Sequence, residues 1–170
     1  PKEIRNIGFP VRPELIQRGK VIASGTYQCA LNALQYGVSM NIAGGTHHSF
    51  ADRGEGFCIF NDVAIACNLL IKNHGFSKIL ILDLDVHQGN GTAKIFENTP
   101  EVFTFSIHSQ EGWPESKQQS TLDIGITESD KNNYLTRLQT GLDSALEDFK
   151  PDFVMLVDGC LLYTSPSPRD

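Results

Sequence analysis

Residues 78–92 read KILILDLDVHQGNGT, and the two halves of that stretch obey different chemistry. Between Lys78 and Leu84 the side chains are almost all apolar. A run so short and so continuous predicts a strand buried on both faces, as in a parallel sheet. Asp83, Asp85 and His87 then follow at alternate positions, and an extended backbone sends alternate side chains to one side. Asp85 and His87 thus offer an oxygen and a nitrogen to one metal ion, a donor pair that suits Zn²⁺. Asp83 starts deeper, where an acid usually supports a histidine. The same residues also suit a plainer task, capping the helix that follows. Gly89-Asn90-Gly91 is glycine-rich like a phosphate-cradling turn but lacks the G-K-[ST] ending.

Working outward, helical and strand patterns alternate. Residues 24–36 place Tyr27, Ala30, Leu31 and Leu34 on one helical face, with Gly37 as a stop. Met40 to Ala43 is a short apolar segment leading into Gly44-Gly45-Thr46-His47-His48. Residues 62–73 read as a helix with Val63, Ala66, Cys67 and Leu70 inward and Gly75 beyond its end. A short helix is expected over 91–97 and a strand over 102–107. The longest helix is expected over 130–149, where Tyr134, Leu135, Leu138, Leu142, Ala145, Leu146 and Phe149 recur at steps of three and four. Residues 153–157 (FVMLV) return to the sheet. This order predicts an α/β fold, a parallel sheet with helices on both faces. It forms one domain or part of one. In such sheets the chemistry gathers beyond the carboxyl ends of the strands, so the loops after Ala43, Leu84 and Ile107 are expected to share one cleft.

The adjacent histidines reinforce the metal reading. Two imidazoles behind two glycines are costly to bury unless each has a partner. A carboxylate beneath one would fix its tautomer and raise its basicity. Composition narrows the partners. Of 170 residues, 14 are basic and 20 acidic, giving a net charge of −6 and a pI near 5.3. That balance argues against a broad nucleic-acid-binding surface. No apolar run reaches the ~18–20 residues of a membrane span. The four cysteines (Cys29, Cys58, Cys67 and Cys160) form no C-x-x-C pair, which points to reduced thiols and a cytoplasmic setting.

Both ends read as those of a partial chain. It opens on Pro1 without an initiator methionine. Residues 160–170 (CLLYTSPSPRD) abandon any core-forming period and look like the translation of a sequencing-library adapter. Native sequence is therefore expected to stop near Gly159, with 160–170 a non-native tail.

Three long blocks, GGTHHSFADRGEGFCIFND, ILDLDVHQGNGT and VFTFSIHSQEGWP, resemble in order the zinc-dependent histone deacetylase family of the arginase/deacetylase superfamily, and within it a class IV-like bacterial branch. The resemblance runs from about Ile7 to Gly159. It implies the middle portion of a domain about twice this length. By the resemblance, Asp85 and His87 are zinc ligands and His48 is the general base and acid. His47 bonds Asp83 and contacts the catalytic water. Asn90 stands where many members carry the acid that orients the base; an amide holds the ring but does not stabilise a full imidazolium charge. The Gly56 carbonyl would accept the substrate amide, while Phe57 and Trp113 would flank the lysine methylenes. The family also binds potassium, implying an inner site at Asp83, Asp85, His87, Ser106 and Ile107 and part of an outer one at Phe96, Thr99 and Val102.

The implied reaction is zinc-dependent hydrolysis of N-acetyl-lysine in a protein. Alternatives are an acetylated small amine such as a polyamine, or a non-catalytic deacetylase-like binding module. His74 and His108 are left as structural or surface residues, and Cys58 and Cys67 as core. The third zinc ligand of the family aligns at Leu161, and its oxyanion-stabilising tyrosine falls beyond the chain, with Tyr163 in the wrong context to replace it. A chain as printed is therefore expected to be inactive.

Overall fold

Helices carry the first half of the chain and a sheet the second. The computed structural model describes residues 2–159. The chain divides into two compact units, Pro1–Gly75 and Phe76–Asp170.

In the first unit a short α1 (Lys2–Ile7) precedes α2 (Pro13–Tyr36) and α3 (Asp62–His74). Helix α2 starts at Pro13 rather than Ser24. Proline at the first turn is pre-set for helix and gives up only an N–H that would be unpaired anyway. The interruption that hid this extension is Gly19, where a side chain would press on the Phe60 ring, with Cβ only 2.8 Å from it. The expected inward face is also rotated. Ala23, Thr26 and Ala30 are the buried positions, and Leu34 is 44% exposed. Gly37 does end the helix, with φ 86° and its N–H donated to the Ala33 carbonyl. Helix α3 has an Asn61 cap, which accepts from the Ala64 N–H. It closes at left-handed Gly75 and buries Val63, Ala66, Cys67 and Leu70 as read. Helices α2 and α3 pack on each other. Met40 and Ile42, in the apolar segment between them, form no strand and lie open to solvent.

The described residues of the second unit form a parallel sheet of four strands, β1 (Ile79–Asp83), β2 (Val102–Ser109), β3 (Leu122–Ile126) and β4 (Phe153–Val157). Their order across the sheet is β3-β2-β1-β4. Helix α4 (Asn90–Phe96) links β1 to β2, and α5 (Tyr134–Asp148) links β3 to β4. These crossovers run in opposite directions along the sheet, so right-handed connections put the two helices on opposite faces. Every residue of β1 is buried, as its unbroken apolar run requires. Leu80, Leu82, Phe105 and Ile107 form the core under α5 with Ala145, and Tyr134, Leu138 and Leu142 pack against it.

The structure departs from the sequence reading at several points in this unit. Strand β3 (LDIGI) was not anticipated. Helix α5 begins only at Tyr134, after a 3-10 turn at Lys131–Asn133, and at 15 residues it is shorter than the 24 of α2. Leu135 and Leu146, expected inward, are 75% and 43% exposed, because they flank the stripe that faces the sheet.

Candidate active site

The parallel sheet delivers its polar residues where its topology demands. Asp83 ends β1, and the chain then steps outward through a ladder of carboxylates. Asp83 Oδ1 accepts the Asp85 N–H at 3.1 Å, and Asp85 Oδ1 accepts the His87 N–H at 2.8 Å. These turns hold Asp85 Oδ1 3.1 Å from His87 Nδ1. All three side chains are buried. Two ligands of a tetrahedral zinc at ~2.0–2.2 Å stand a little over 3 Å apart, so this donor pair fits the ion. The chain leaving β4 hugs the same carboxylate: a Cβ on Gly159 would lie 1.6 Å from Asp85 Oδ2. Among the described residues no three His, Cys, Asp or Glu side chains group to hold a metal. The third-ligand position, Leu161, lies outside the described residues, as do Cys160, Tyr163 and the rest of the tail.

Two other expected residues belong to the same unit. Asn90 opens α4 with its side chain buried. The half-buried Trp113 meets His87 edge-to-face, with ring centres 5.9 Å apart. It lines a groove of about 580 Å³ that also carries Glu111, Glu115 and Glu128. Gln88 was not anticipated. Its amide donates to the Gln118 carbonyl and to Asp123, and its carbonyl accepts the Gln118 N–H, fastening the segment after Trp113 to the residue beside His87.

For the potassium set, Asp83 and Ser106 are register partners across β1 and β2, with Ile107 next in line. The Phe96 and Thr99 carbonyls accept the Thr99 and Val102 N–H groups. His108 is buried, its Nδ1 3.0 Å from Ser106 Oγ. Burial pushes its pKa below the usual histidine value, against the upward pull of Asp123.

The first unit holds the remaining residues. His47 and His48 are both buried and their ring centres lie 3.9 Å apart. Gly56 and Phe57 form a tight turn at positive φ, 54° and 64°. A left-handed phenylalanine is strained and needs outside support. The Gly56 and Phe57 N–H groups donate to the Asn6 and Ile7 carbonyls, and the Phe57 ring stacks on Phe9. Gly8 permits the approach, since a Cβ there would sit 2.8 Å from the Phe57 ring. Phe57 remains 43% exposed, so it is not a core aromatic. Cys58 and Cys67 are core residues, and burial raises the Cys67 thiol to about 12. His74 ends α3 beside the Tyr27 hydroxyl at 3.0 Å.

Metal-type side chains beyond the strand ends of a parallel sheet define an α/β protein of the kind that works at its carboxyl edge. The histone deacetylase domain model matches residues 3–161. This chain belongs to the histone deacetylase family, within the arginase/deacetylase superfamily. It is 46% identical over 155 residues to an uncharacterized protein of Picosynechococcus sp., covering 91% of this chain and 52% of that one. It is 32% identical over 162 residues to histone deacetylase B of Dictyostelium discoideum, covering 93% and 37%. The crystal structure of an HDAC homolog from Aquifex aeolicus superposes with a TM-score of 0.72 at 28% identity, over 82% of this chain and 41% of that one. The chain therefore spans about half, or less, of each relative's length.

Proposed function

We propose that the protein is a zinc-dependent deacetylase that hydrolyses the N-acetyl group of a lysine-like amine. The observation that carries this reading is the buried Asp85–His87 pair, its donor atoms 3.1 Å apart at the carboxyl end of β1. Family membership supplies the reaction class. Asp85 and His87 would hold the metal, with a third donor at the position now occupied by Leu161. Zinc held there would polarise the acetyl carbonyl and activate water.

The chain's own groups do the rest. His48 takes the proton and returns it to the leaving amine. By the family resemblance, Asn90 would hold its ring, and His47, backed by Asp83, would bind the attacking water. The Gly56 carbonyl accepts the substrate N–H. By the same resemblance, Phe57 and Trp113 would flank the four-carbon stem and exclude water, which two flat apolar surfaces do without polar contacts. The groove beside Trp113 carries Glu111, Glu115 and Glu128 against one lysine, Lys131, which pairs with Glu128, and that net acidity suits a substrate with further positive charge, whether a basic peptide or an acetylated polyamine.

The test is a zinc assay with kinetics on the full-length gene product. One bound zinc per chain, with release of acetate from an acetyl-lysine peptide that stops on chelation, is the expected result. Faster turnover of an N-acetylated polyamine would move the substrate from protein to small amine. Zinc binding without hydrolysis of either substrate would leave the binding-module reading instead.

A further inference from the structure

The loop bearing both histidines is held by two adjacent side chains of another element. Asn61 and Asp62 stand at the start of α3, where such residues ordinarily satisfy the N–H groups of their own helix. Asp62 does otherwise. Its carboxylate accepts four hydrogen bonds, all from residues 16 to 36 positions earlier. Oδ1 takes the Thr46 N–H at 2.7 Å and the Thr46 hydroxyl at 2.5 Å. Oδ2 takes the Gly45 N–H at 3.1 Å and the Thr26 hydroxyl at 2.5 Å. Four donors saturate a carboxylate, and the group is 1% exposed.

Asn61 divides its amide between two duties. Its carbonyl caps α3 by accepting the Ala64 N–H, while its NH₂ donates to the His47 carbonyl at 3.4 Å and the Ser49 carbonyl at 3.1 Å. Two loop N–H groups before the histidines and two carbonyls around them are thus fixed by side chains 61 and 62. The approach is close enough to require Gly44, where a Cβ would meet Asp62 Oδ2 at 2.5 Å.

We infer that Asn61 and Asp62 are positioning residues: a clamp that sets where the His47 and His48 imidazoles stand. The inference rests on the deacetylase reading for its catalytic consequence, but the clamp itself is a property of the first unit. An imidazole that must meet a proton within hydrogen-bond reach tolerates little displacement, and a ~1 Å error costs about 10²-fold in rate.

The test separates the clamp from the helix cap and from simple stability. Asn61→Ser keeps a good capping oxygen but removes the NH₂ that holds the loop carbonyls. Asp62→Asn turns one acceptor into a donor that faces donors. Thr26→Val removes one bond to the same carboxylate, together with the acceptor of the Asn41 amide, while leaving both loop N–H groups held. In the full-length zinc-loaded protein, Asn61→Ser and Asp62→Asn should lower kcat by at least about tenfold, with KM within about threefold. Zinc content should stay at the wild-type level, and Thr26→Val should keep its kcat. An unchanged kcat in Asn61→Ser, or a kcat that merely follows thermal stability across the three variants, overturns the clamp. If Asp62→Asn fails to fold, Asn61→Ser decides. If the wild-type protein binds zinc yet hydrolyses no acetylated amine, the deacetylase reading fails alone. The ring ¹⁵N shifts of His47 and His48 then settle the clamp. Shifts moved by Asn61→Ser and not by Thr26→Val support it, and unmoved shifts reject it.

Discussion

Gly159 shows how much one missing side chain matters. A Cβ there would overlap Asp85 Oδ2 at 1.6 Å and Cγ at 2.4 Å, so Gly159→Ala must displace the carboxylate and disturb its pairing with His87. Disturbing the groups that orient a ligand typically costs 10–100-fold in metal affinity. Competition against a chromophoric chelator should show a loss of that size in the full-length Gly159→Ala protein. Unchanged affinity would remove Asp85 from the ligand set. Cys67 makes a prediction about pH. Its thiol, unexposed in the interior of α3, is raised by burial from 9.0 to about 12. A raised folded value means stability is complete below pH 9 and declines as pH climbs towards 12, because the unfolded thiol ionises first. Between pH 8 and 10.5 this one group should cost about 2 kcal/mol, at 1.36 kcal/mol per unit. Urea titrations should therefore show a steeper alkaline loss for wild type than for Cys67→Ala. Parallel losses would mean the thiol ionises freely in the folded state.

Among the elements, Gly141 pits helix propensity against packing. Alanine gains about 1 kcal/mol over glycine in a helix interior. A Cβ at Gly141 would press on Phe105 at 2.7 Å and Ile124 at 2.9 Å, and overpacking a tight core costs about 1–3 kcal/mol. Packing wins, so Gly141→Ala should lower the urea midpoint. A raised midpoint would show that α5 shifts freely on the sheet. The same balance explains what could be read in advance. Strand β1 and its D-x-D-x-H exit were legible because every determinant lies within ten residues and the backbone period alone aligns them. Helix α3 was legible because cap, apolar stripe and terminal glycine agree. The first half of α2 was not, because Gly19 breaks the pattern and its reason is Phe60, far along the chain. Asp123 and Gly125 diluted β3 in the same way. The histidine pair announced itself, yet Asp62 did not. A lone acid at a helix start reads as a cap, and its four donors arrive only when the chain folds back. Phe57 could be matched by motif, but its positive φ and its support from Asn6 and Ile7 have no local sequence signal.

At the scale of the whole molecule, two stretches of the described residues expose apolar side chains in succession. Strand β4 is at one edge of the sheet among the described residues, and Val154 and Leu156 on its α5-side face are 48% and 59% exposed. In the first unit, Val38, Met40 and Ile42 are 81%, 81% and 94% exposed. An exposed strand edge with branched aliphatic side chains is a template for pairing with another chain, and within the strand, which reads FVMLV, no charge or proline blunts it. A net charge of −6 opposes association weakly and only over a Debye length of about 8–10 Å. The 170-residue chain should therefore self-associate, and light scattering should show its mass rising with concentration. Sulfate should strengthen the association, as apolar burial requires, where a charge-driven contact would weaken. Val154→Lys with Leu156→Lys places two charges on the edge strand and should return the chain to a monomer. If that pair changes nothing while Met40→Lys with Ile42→Lys does, the sticking surface is in the first unit. If neither pair lowers the mass, apolar exposure is not what drives the contact.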